Sequence, residues 1–207
     1  MSSGEKLNSI THLVGACFAL VGLVFLIVVS ASRGDAWQVV SFTVYGTSLL
    51  LLYVMSTLYH VFVGPRKALF RRFDHIAVYL LIAGTYTPFT LVLLGGTLGW
   101  QLFAAVWTLA LIGILYSALR PSGGGVAVQV VVGLSMGWLC LFGLEPLMAA
   151  FPDGGFAWLL AGGIFYTVGV VFFVFDNTIP HGHGIWHLFV IAGSASHYVA
   201  VLGYTGF

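Results

Sequence analysis

The hydrophobic positions of this chain form long, nearly unbroken runs, and the polar positions gather in the short stretches between them. A helix that crosses a bilayer needs about 20 consecutive apolar residues. Cutting the sequence at its charged residues and its glycine and proline clusters leaves seven such runs, which predict spans at residues 10–31, 37–62, 73–95, 98–119, 125–144, 156–176 and 183–206. The links between them are short, so the pattern predicts a single seven-helix membrane domain over residues 1–207.

The runs have the character of helices rather than of strands. Strands of a membrane barrel alternate apolar and polar residues over about ten positions, whereas residues 20–29 and 168–175 carry no polar side chain. Glycines at 133 and 137 and at 162 and 163 have a spacing typical of close helix packing. Pro88, inside the third run, predicts a break in the hydrogen-bond ladder and a kink. We therefore expect an all-α integral membrane protein.

Composition and charge support this class and narrow the partners. The chain is 60% hydrophobic and 6% charged, with a mean hydropathy of +1.06, whereas soluble domains are about 25% charged. A net charge of +1 gives no reason to expect a nucleic-acid partner. The short links imply no soluble protein partner, and nothing in the pattern specifies an oligomer. The expected partner is membrane lipid, as substrate or ligand.

The distribution of lysine and arginine predicts the orientation of the chain. Cytoplasmic segments of membrane proteins are enriched in these residues. With a cytoplasmic N-terminus, six of the seven fall inside, including the basic link at 63–72, and Arg33 alone falls outside. Seven spans then bring the C-terminal Phe207 outside, together with Glu145 and Asp153. We expect a multi-pass protein of the cell membrane with its N-terminus inside and its C-terminus outside.

The polar side chains of the spans are concentrated near the predicted cytoplasmic face. Ionisable residues within a membrane are costly and by default mark a functional site. Six of the seven histidines belong to this layer, namely His12, His60, His75, His181, His183 and His187. The layer also holds Glu5, Asn8, Asp74 and Asp176. His197 lies deeper, and we expect it to be a hydrogen-bonded core residue rather than part of a proton path.

The spacing of these residues predicts a metal site. His183 and His187 are four positions apart on one helix face, as in helical zinc sites. Ser56 precedes His60 by the same spacing, and Asp74 supplies an anion. Three imidazoles and a water form a catalytic type of zinc site, whereas magnesium and calcium prefer oxygen ligands. The alternative is that these histidines bind loops and lipid headgroups at the interface.

Four segments resemble the haemolysin III family, the bacterial branch of the progestin and adipoQ receptor proteins. They are residues 5–12 (EKLNSITH), 56–60 (STLYH), 73–88 (FDHIAVYLLIAGTYTP) and 183–197 (HGIWHLFVIAGSASH). In the wider superfamily, adiponectin receptors and alkaline ceramidases bind zinc near the cytosolic face. The resemblance implies that His60, His183 and His187 are the zinc ligands, that Asp74 holds the zinc-bound water and that Ser56 faces the reacting centre. Glu5, Asn8 and His12 fit the haemolysin III pattern.

These residues predict a zinc-dependent hydrolase that acts on lipid amides or esters. Zinc lowers the pKa of a bound water toward about 7 and polarises a carbonyl. Asp74 would orient that water and take its proton, and Ser56 would donate to the oxyanion. Three alternatives stay open: a membrane sensor or regulator without enzymatic activity, a proton-coupled or ion-coupled transporter, and a cytolysin.

Overall fold

A computed structural model describes residues 3–120, 123–152 and 154–205. Within these ranges the α-helices are α1 (Ser3–Arg33), α2 (Ala36–Val61), α3 (Pro65–Pro88), α4 (Gly96–Leu119), α5 (Val126–Gly137), α6 (Leu144–Ala150), α7 (Gly155–Val174) and α8 (Gly182–Tyr204). A π-helix, Phe89–Leu94, continues α3, and a 3-10 helix, Leu139–Gly143, joins α5 to α6.

These helices form seven segments that are long and apolar enough to cross a membrane. The π-helix extends α3 into one span, Pro65–Leu94, and α5 and α6 share another, Val126–Ala150. Large apolar side chains cover the outside of the bundle, and Phe142, for example, is 84% exposed. Lipid is the environment that such a surface requires. The prediction of a seven-span, all-α membrane protein is confirmed, although Asp153 and Phe207, used to predict its outer face, lie outside the described residues.

Two helices begin earlier than the hydrophobic runs indicated. The first starts at Ser3 rather than at residue 10, and the third starts at Pro65 rather than at residue 73. The segment 66–72, which contains four basic residues and was predicted to form part of a link, therefore lies in the first turns of α3. Hydropathy detects the part of a helix that lipid surrounds, and a polar first turn escapes it.

Two spans are not continuous α-helices. Pro88 ends α3, and the backbone changes from α to π geometry directly after it. Proline has no N–H to donate, so the predicted break in the ladder is observed as this change of helix type. The fifth span was predicted to end at residue 144, but it passes through the 3-10 segment and continues as α6 to Ala150.

Neighbouring spans run antiparallel, so one end of the bundle collects the starts of α1, α3, α5 and α8 and the ends of α2, α4 and α7. We call it the N-terminal end. At this end α1 packs against both α2 and α8. Close approach of α1 and α2 requires glycine, because a Cβ on Gly15 would lie 2.7 Å from the Tyr53 ring. The polar residues of three different helices are thereby brought together.

The glycine pairs have different surroundings from those predicted. A Cβ on Gly162 would lie 2.1 Å from the His197 ring, as close packing of α7 on α8 requires. No atom lies within 4 Å of a Cβ on Gly137 or Gly163, and Gly133 meets only Ile82, at 3.8 Å. The prediction of close helix packing is therefore wrong for Gly133, Gly137 and Gly163. These three glycines line an internal cavity instead.

Candidate metal centre

Three histidines meet at the N-terminal end of the bundle. His60 lies in the last turn of α2, and His183 and His187 lie in the first two turns of α8. One ligand nitrogen of each ring lies within 4.8 Å of the corresponding nitrogens of the other two. Helical spacing brings His183 and His187 onto one face, and the packing of α2 near α8 adds His60 from a distant part of the sequence.

Each of these rings is held through its Nδ1 atom. The Nδ1–H of His60 donates to Glu5 Oε2 over 2.6 Å, because a carboxylate only accepts. In the same way, Nδ1–H of His183 donates to Asp176 Oδ2 over 3.1 Å. His187 donates from Nδ1 to the backbone carbonyl of Asn8 over 3.1 Å. With Nδ1 protonated on all three rings, Nε2 is the nitrogen left to bind a cation.

The residues present fit a transition-metal ion. Nε2 of His60 is buried and has no hydrogen-bond partner among the described residues, and a buried polar atom of this kind requires an explanation such as an ion. Metal-binding histidines usually donate their other N–H to a carboxylate or a carbonyl, as all three do here. Imidazole nitrogens suit zinc, copper, iron and nickel rather than magnesium or calcium. The cluster can therefore hold a metal ion, and its ligands alone do not identify the metal.

His12 is not one of the three converging histidines, but it contacts one of them. Its ring stacks on the His187 ring, with centroids 3.5 Å apart and planes within 9°. The Tyr53 ring meets it edge-on at 5.1 Å. His12 is 3% exposed, and neither of its ring nitrogens has a hydrogen-bond partner among the described residues. Its contact with the cluster is made by the face of the ring.

Asp74 and Ser56 lie beside the three histidines. Both line the same cavity as the cluster, but Asp74 is not among the residues whose ligand atoms converge. The Ser56 hydroxyl lies near the Asp74 carboxyl group. The predicted donation from Ser56 to an oxyanion stays a prediction.

Three other histidines lie apart from the cluster. His75 directs Nδ1 to the carbonyl of Gly123 over 3.2 Å, toward the link between α4 and α5. His181 precedes α8 in a left-handed conformation and is exposed. His197, deeper in α8, donates from Nε2 to the carbonyl of Leu159 over 3.1 Å. The last contact is the one expected of a hydrogen-bonded core histidine.

A cavity of about 810 Å³ opens from the cluster into the bundle. At the N-terminal end it is bordered by polar side chains, among them Glu5, Asp74 and His187. Farther along, its wall is mainly apolar, and the cavity reaches residues near the opposite ends of the third, fifth and sixth spans, such as Leu94, Leu147 and Phe156. The cavity thus joins a polar end, where three histidines could hold a metal ion, to a long and mainly apolar interior.

Comparison with known proteins identifies the family. A family model described as "Haemolysin-III related" matches residues 2–198. The chain is 45% identical to Hemolysin-3 of Bacillus cereus over 201 residues, which cover 97% of this chain and 91% of that protein. The chain belongs to the haemolysin III family.

Two further relatives show how far this similarity extends. The Hemolysin-3 homolog of Bacillus subtilis (strain 168) is also 45% identical over 201 residues, with 97% of this chain and 93% of that protein covered. The human Monocyte to macrophage differentiation factor is 31% identical over 206 residues, with 95% of this chain and 82% of that protein covered. The similarity to haemolysin III proteins and to this human protein spans nearly the whole chain.

The sequence analysis did not predict two contacts of this haemolysin III site. Lys67, interpreted there as a topology signal, donates from Nζ to Glu5 Oε1 over 2.7 Å. Thr11 Oγ1 lies 3.2 Å from His187 Nδ1 and donates its own proton to backbone carbonyls of α1. The helical spacing of Thr11 from Asn8 gave one available signal, whereas the pairing of Glu5 with Lys67 depends on the packing of separate helices.

Proposed function

We propose that this haemolysin III protein is a zinc-dependent hydrolase that acts on lipid amides or esters at the membrane surface. One observation carries the proposal: a cluster of three oriented histidines lies at the polar end of a long apolar cavity. Lipid substrates need both features together, a polar reacting centre and an apolar space for an acyl chain.

Zinc is the metal that we infer for this site. Three imidazoles match the ligand set of catalytic zinc sites, in which a fourth position stays open. When bound, zinc would supply a Lewis acid for a carbonyl and lower the pKa of a coordinated water toward about 7. The carboxylates of Glu5 and Asp176 would hold the ligand rings in place.

Asp74 is the group that we assign to proton transfer. Its carboxylate lines the cavity beside the histidines without joining the ligand group, so it is available to accept a proton from a nucleophilic water. Ser56 lines the same cavity beside this carboxylate. When substrate reaches the site, the Ser56 hydroxyl is the neighbouring donor for a developing oxyanion.

The interior of the cavity supports a lipid as the substrate. Its walls include Leu52, Val78, Ile82 and Leu159, which offer no hydrogen bonds to a polar ligand. Binding sites of this kind bury most of their ligand in apolar surroundings and fix it with few polar groups. An acyl chain would fill the apolar part and leave its amide or ester carbonyl near the histidines.

We further propose that the site faces the cytoplasm. The four basic residues of segment 66–72 lie in the first turns of α3, at the N-terminal end of the bundle, where the three histidines also lie. The excess of lysine and arginine at this end favours the inner side of a cell membrane. The reaction would then use lipid of the inner leaflet.

The test begins with metal content. Wild type, His187→Ala and His181→Asn should be purified in detergent without chelators and measured by inductively coupled plasma mass spectrometry. The expected result is about one zinc per chain in wild type and in His181→Asn, a control on an exposed histidine outside the cluster, and none in His187→Ala.

Hydrolysis is then measured on a panel of N-acyl lipids and acyl esters, with release of free fatty acid as the readout. Asp74→Asn should keep its zinc and lose turnover. Zinc binding without turnover on any lipid of the panel would contradict the hydrolase and favour a metal-dependent membrane sensor. A folded wild type that binds no metal would remove the whole proposal.

A further inference from the structure

Glu5 occupies a central position between three helices at the edge of the metal centre. One carboxylate oxygen accepts from His60 of α2 over 2.6 Å, and the other accepts from Lys67 of α3 over 2.7 Å. Glu5 itself is on α1 and is 28% exposed, while His60 is 3% exposed. The residue therefore spans from the protein surface to a buried ring.

The contact with Glu5 determines which nitrogen of His60 faces the cluster. Since a carboxylate only accepts, His60 must carry its proton on Nδ1, and Nε2 keeps a free lone pair. Without Glu5, a neutral imidazole could take either tautomer, and the ring could also rotate. The hydrogen bond removes both freedoms.

Lys67 acts on the same carboxylate from the opposite side. Its ammonium group also lies over the Tyr59 ring, 4.8 Å from the centroid, next to His60 in the chain. Two donors on two different oxygens leave Glu5 little freedom to rotate. The geometry thus fixes a carboxylate that in turn fixes the ring of His60.

Residues of α1 also orient His187, a second histidine of the cluster. The backbone carbonyl of Asn8 and the hydroxyl of Thr11 both lie at hydrogen-bond distance from Nδ1 of His187. His12, one turn farther along, stacks on the same ring. His60 and His187 are therefore oriented by α1, although α1 supplies no residue to the group of converging nitrogens.

We infer that the start of α1 is the positioning element of the metal centre and that Glu5, clamped by Lys67, is a positioning residue for His60. This inference rests on the metal site of the proposed function, but not on hydrolysis. It predicts that changes in α1 alter metal affinity and coordination geometry while the three histidines remain intact.

The test compares Glu5→Ala, Glu5→Gln and Lys67→Met with wild type and with Glu145→Gln, an exposed glutamate in α6 at the opposite end of the bundle. Zinc affinity is measured by competition with a chromophoric chelator, and geometry by the visible absorption of the Co²⁺ form. Removal of a residue that orients a ligand typically weakens metal binding about 10-fold to 100-fold. We expect a loss in this range for Glu5→Ala.

Glu5→Gln keeps an oxygen that can accept from Nδ1 but loses the charge, so we expect a smaller loss and a Co²⁺ spectrum near that of wild type. Lys67→Met should have the weakest effect, because a partly exposed ion pair contributes little. Glu145→Gln should match wild type. If Glu5→Ala does not fold, the zinc affinities of the other two variants test the inference. Glu5→Gln should then bind zinc more weakly than Lys67→Met, and Lys67→Met more weakly than wild type.

A second readout separates positioning from general support of the fold. In the metal-free protein, nitrogen NMR of labelled histidine should show His60 with its proton on Nδ1 in wild type and a mixture of tautomers in Glu5→Ala. Unchanged affinity and an unchanged tautomer in Glu5→Ala would overturn the inference and leave the proposed hydrolase intact. Metal binding without hydrolysis in wild type would do the reverse, and a wild type without metal binding would overturn both.

Discussion

Replacing Gly162 by alanine tests the contact between α7 and α8 beside the cavity. The new Cβ would lie 2.1 Å from Cδ2 and 2.3 Å from Nε2 of His197, whereas ordinary contacts begin at 3.4 Å. The His197 ring must therefore move by about 1.3 Å, the difference between 2.1 and 3.4 Å. Because this ring borders the cavity, it can move toward open space.

The expected cost follows from these two facts. Movement toward the cavity limits the steric penalty to the lower end of the range for overpacking, about 1 kcal/mol. The same movement breaks the hydrogen bond from His197 Nε2 to the carbonyl of Leu159, and an unsatisfied buried polar group costs about 1–3 kcal/mol. We expect Gly162→Ala to lower the free energy of unfolding by about 2–4 kcal/mol.

Gly163→Ala is the matched control, because it makes the same chemical change one position along α7. Its Cβ meets no atom within 4 Å, so its free energy of unfolding should stay within about 0.5 kcal/mol of wild type. Both variants can be unfolded by adding sodium dodecyl sulfate to protein in mild detergent micelles, with tryptophan fluorescence as the signal. Equal stability of the two variants would show that α7 and α8 do not pack on each other as described.

Three further outcomes follow from the cavity and the cluster. Gly163→Phe should fill part of the cavity and reduce lipid turnover at least about tenfold with an unchanged zinc content, and normal turnover would show that the acyl chain binds elsewhere. His12→Ala should weaken zinc binding about tenfold. His12→Phe should bind zinc nearly as tightly as wild type, because His12 contacts His187 through the face of its ring. Equal losses of zinc affinity in both variants would assign a role to the ring nitrogens of His12. Asp176→Asn should weaken zinc binding by releasing His183, which a competition titration would detect.

Much of this architecture was predictable from hydropathy alone. A lipid-facing helix must be apolar over about 20 residues, so the runs that identified the spans are a direct requirement of the membrane. The grouping of His60 with His183 and His187 was also accessible, because antiparallel spans bring the end of the second and the start of the seventh to the same face. The signal was that all three histidines were predicted to lie near the same face of the membrane.

The cavity was not predictable in the same way. Gly133, Gly137 and Gly163 have the spacing of packing glycines, yet they border open space, while Gly162 makes a tight contact. A glycine permits close approach of two helices and equally leaves room where no helix approaches. Whether a glycine packs closely or borders open space depends on the position of the neighbouring helix. The local sequence does not determine that position.

The earlier start of α1 explains how Glu5 and Asn8 reach the candidate metal centre. Glu5, Asn8 and His12 are spaced by three and four positions, so they share one face of a helix. That face meets α2 and α8 only because α1 is already helical at Ser3. Hydropathy excluded this turn because it is polar, but its polar groups bind His60 and His187 rather than water. In a membrane protein, a polar helix start beside buried histidines is therefore better interpreted as part of the site than as a link.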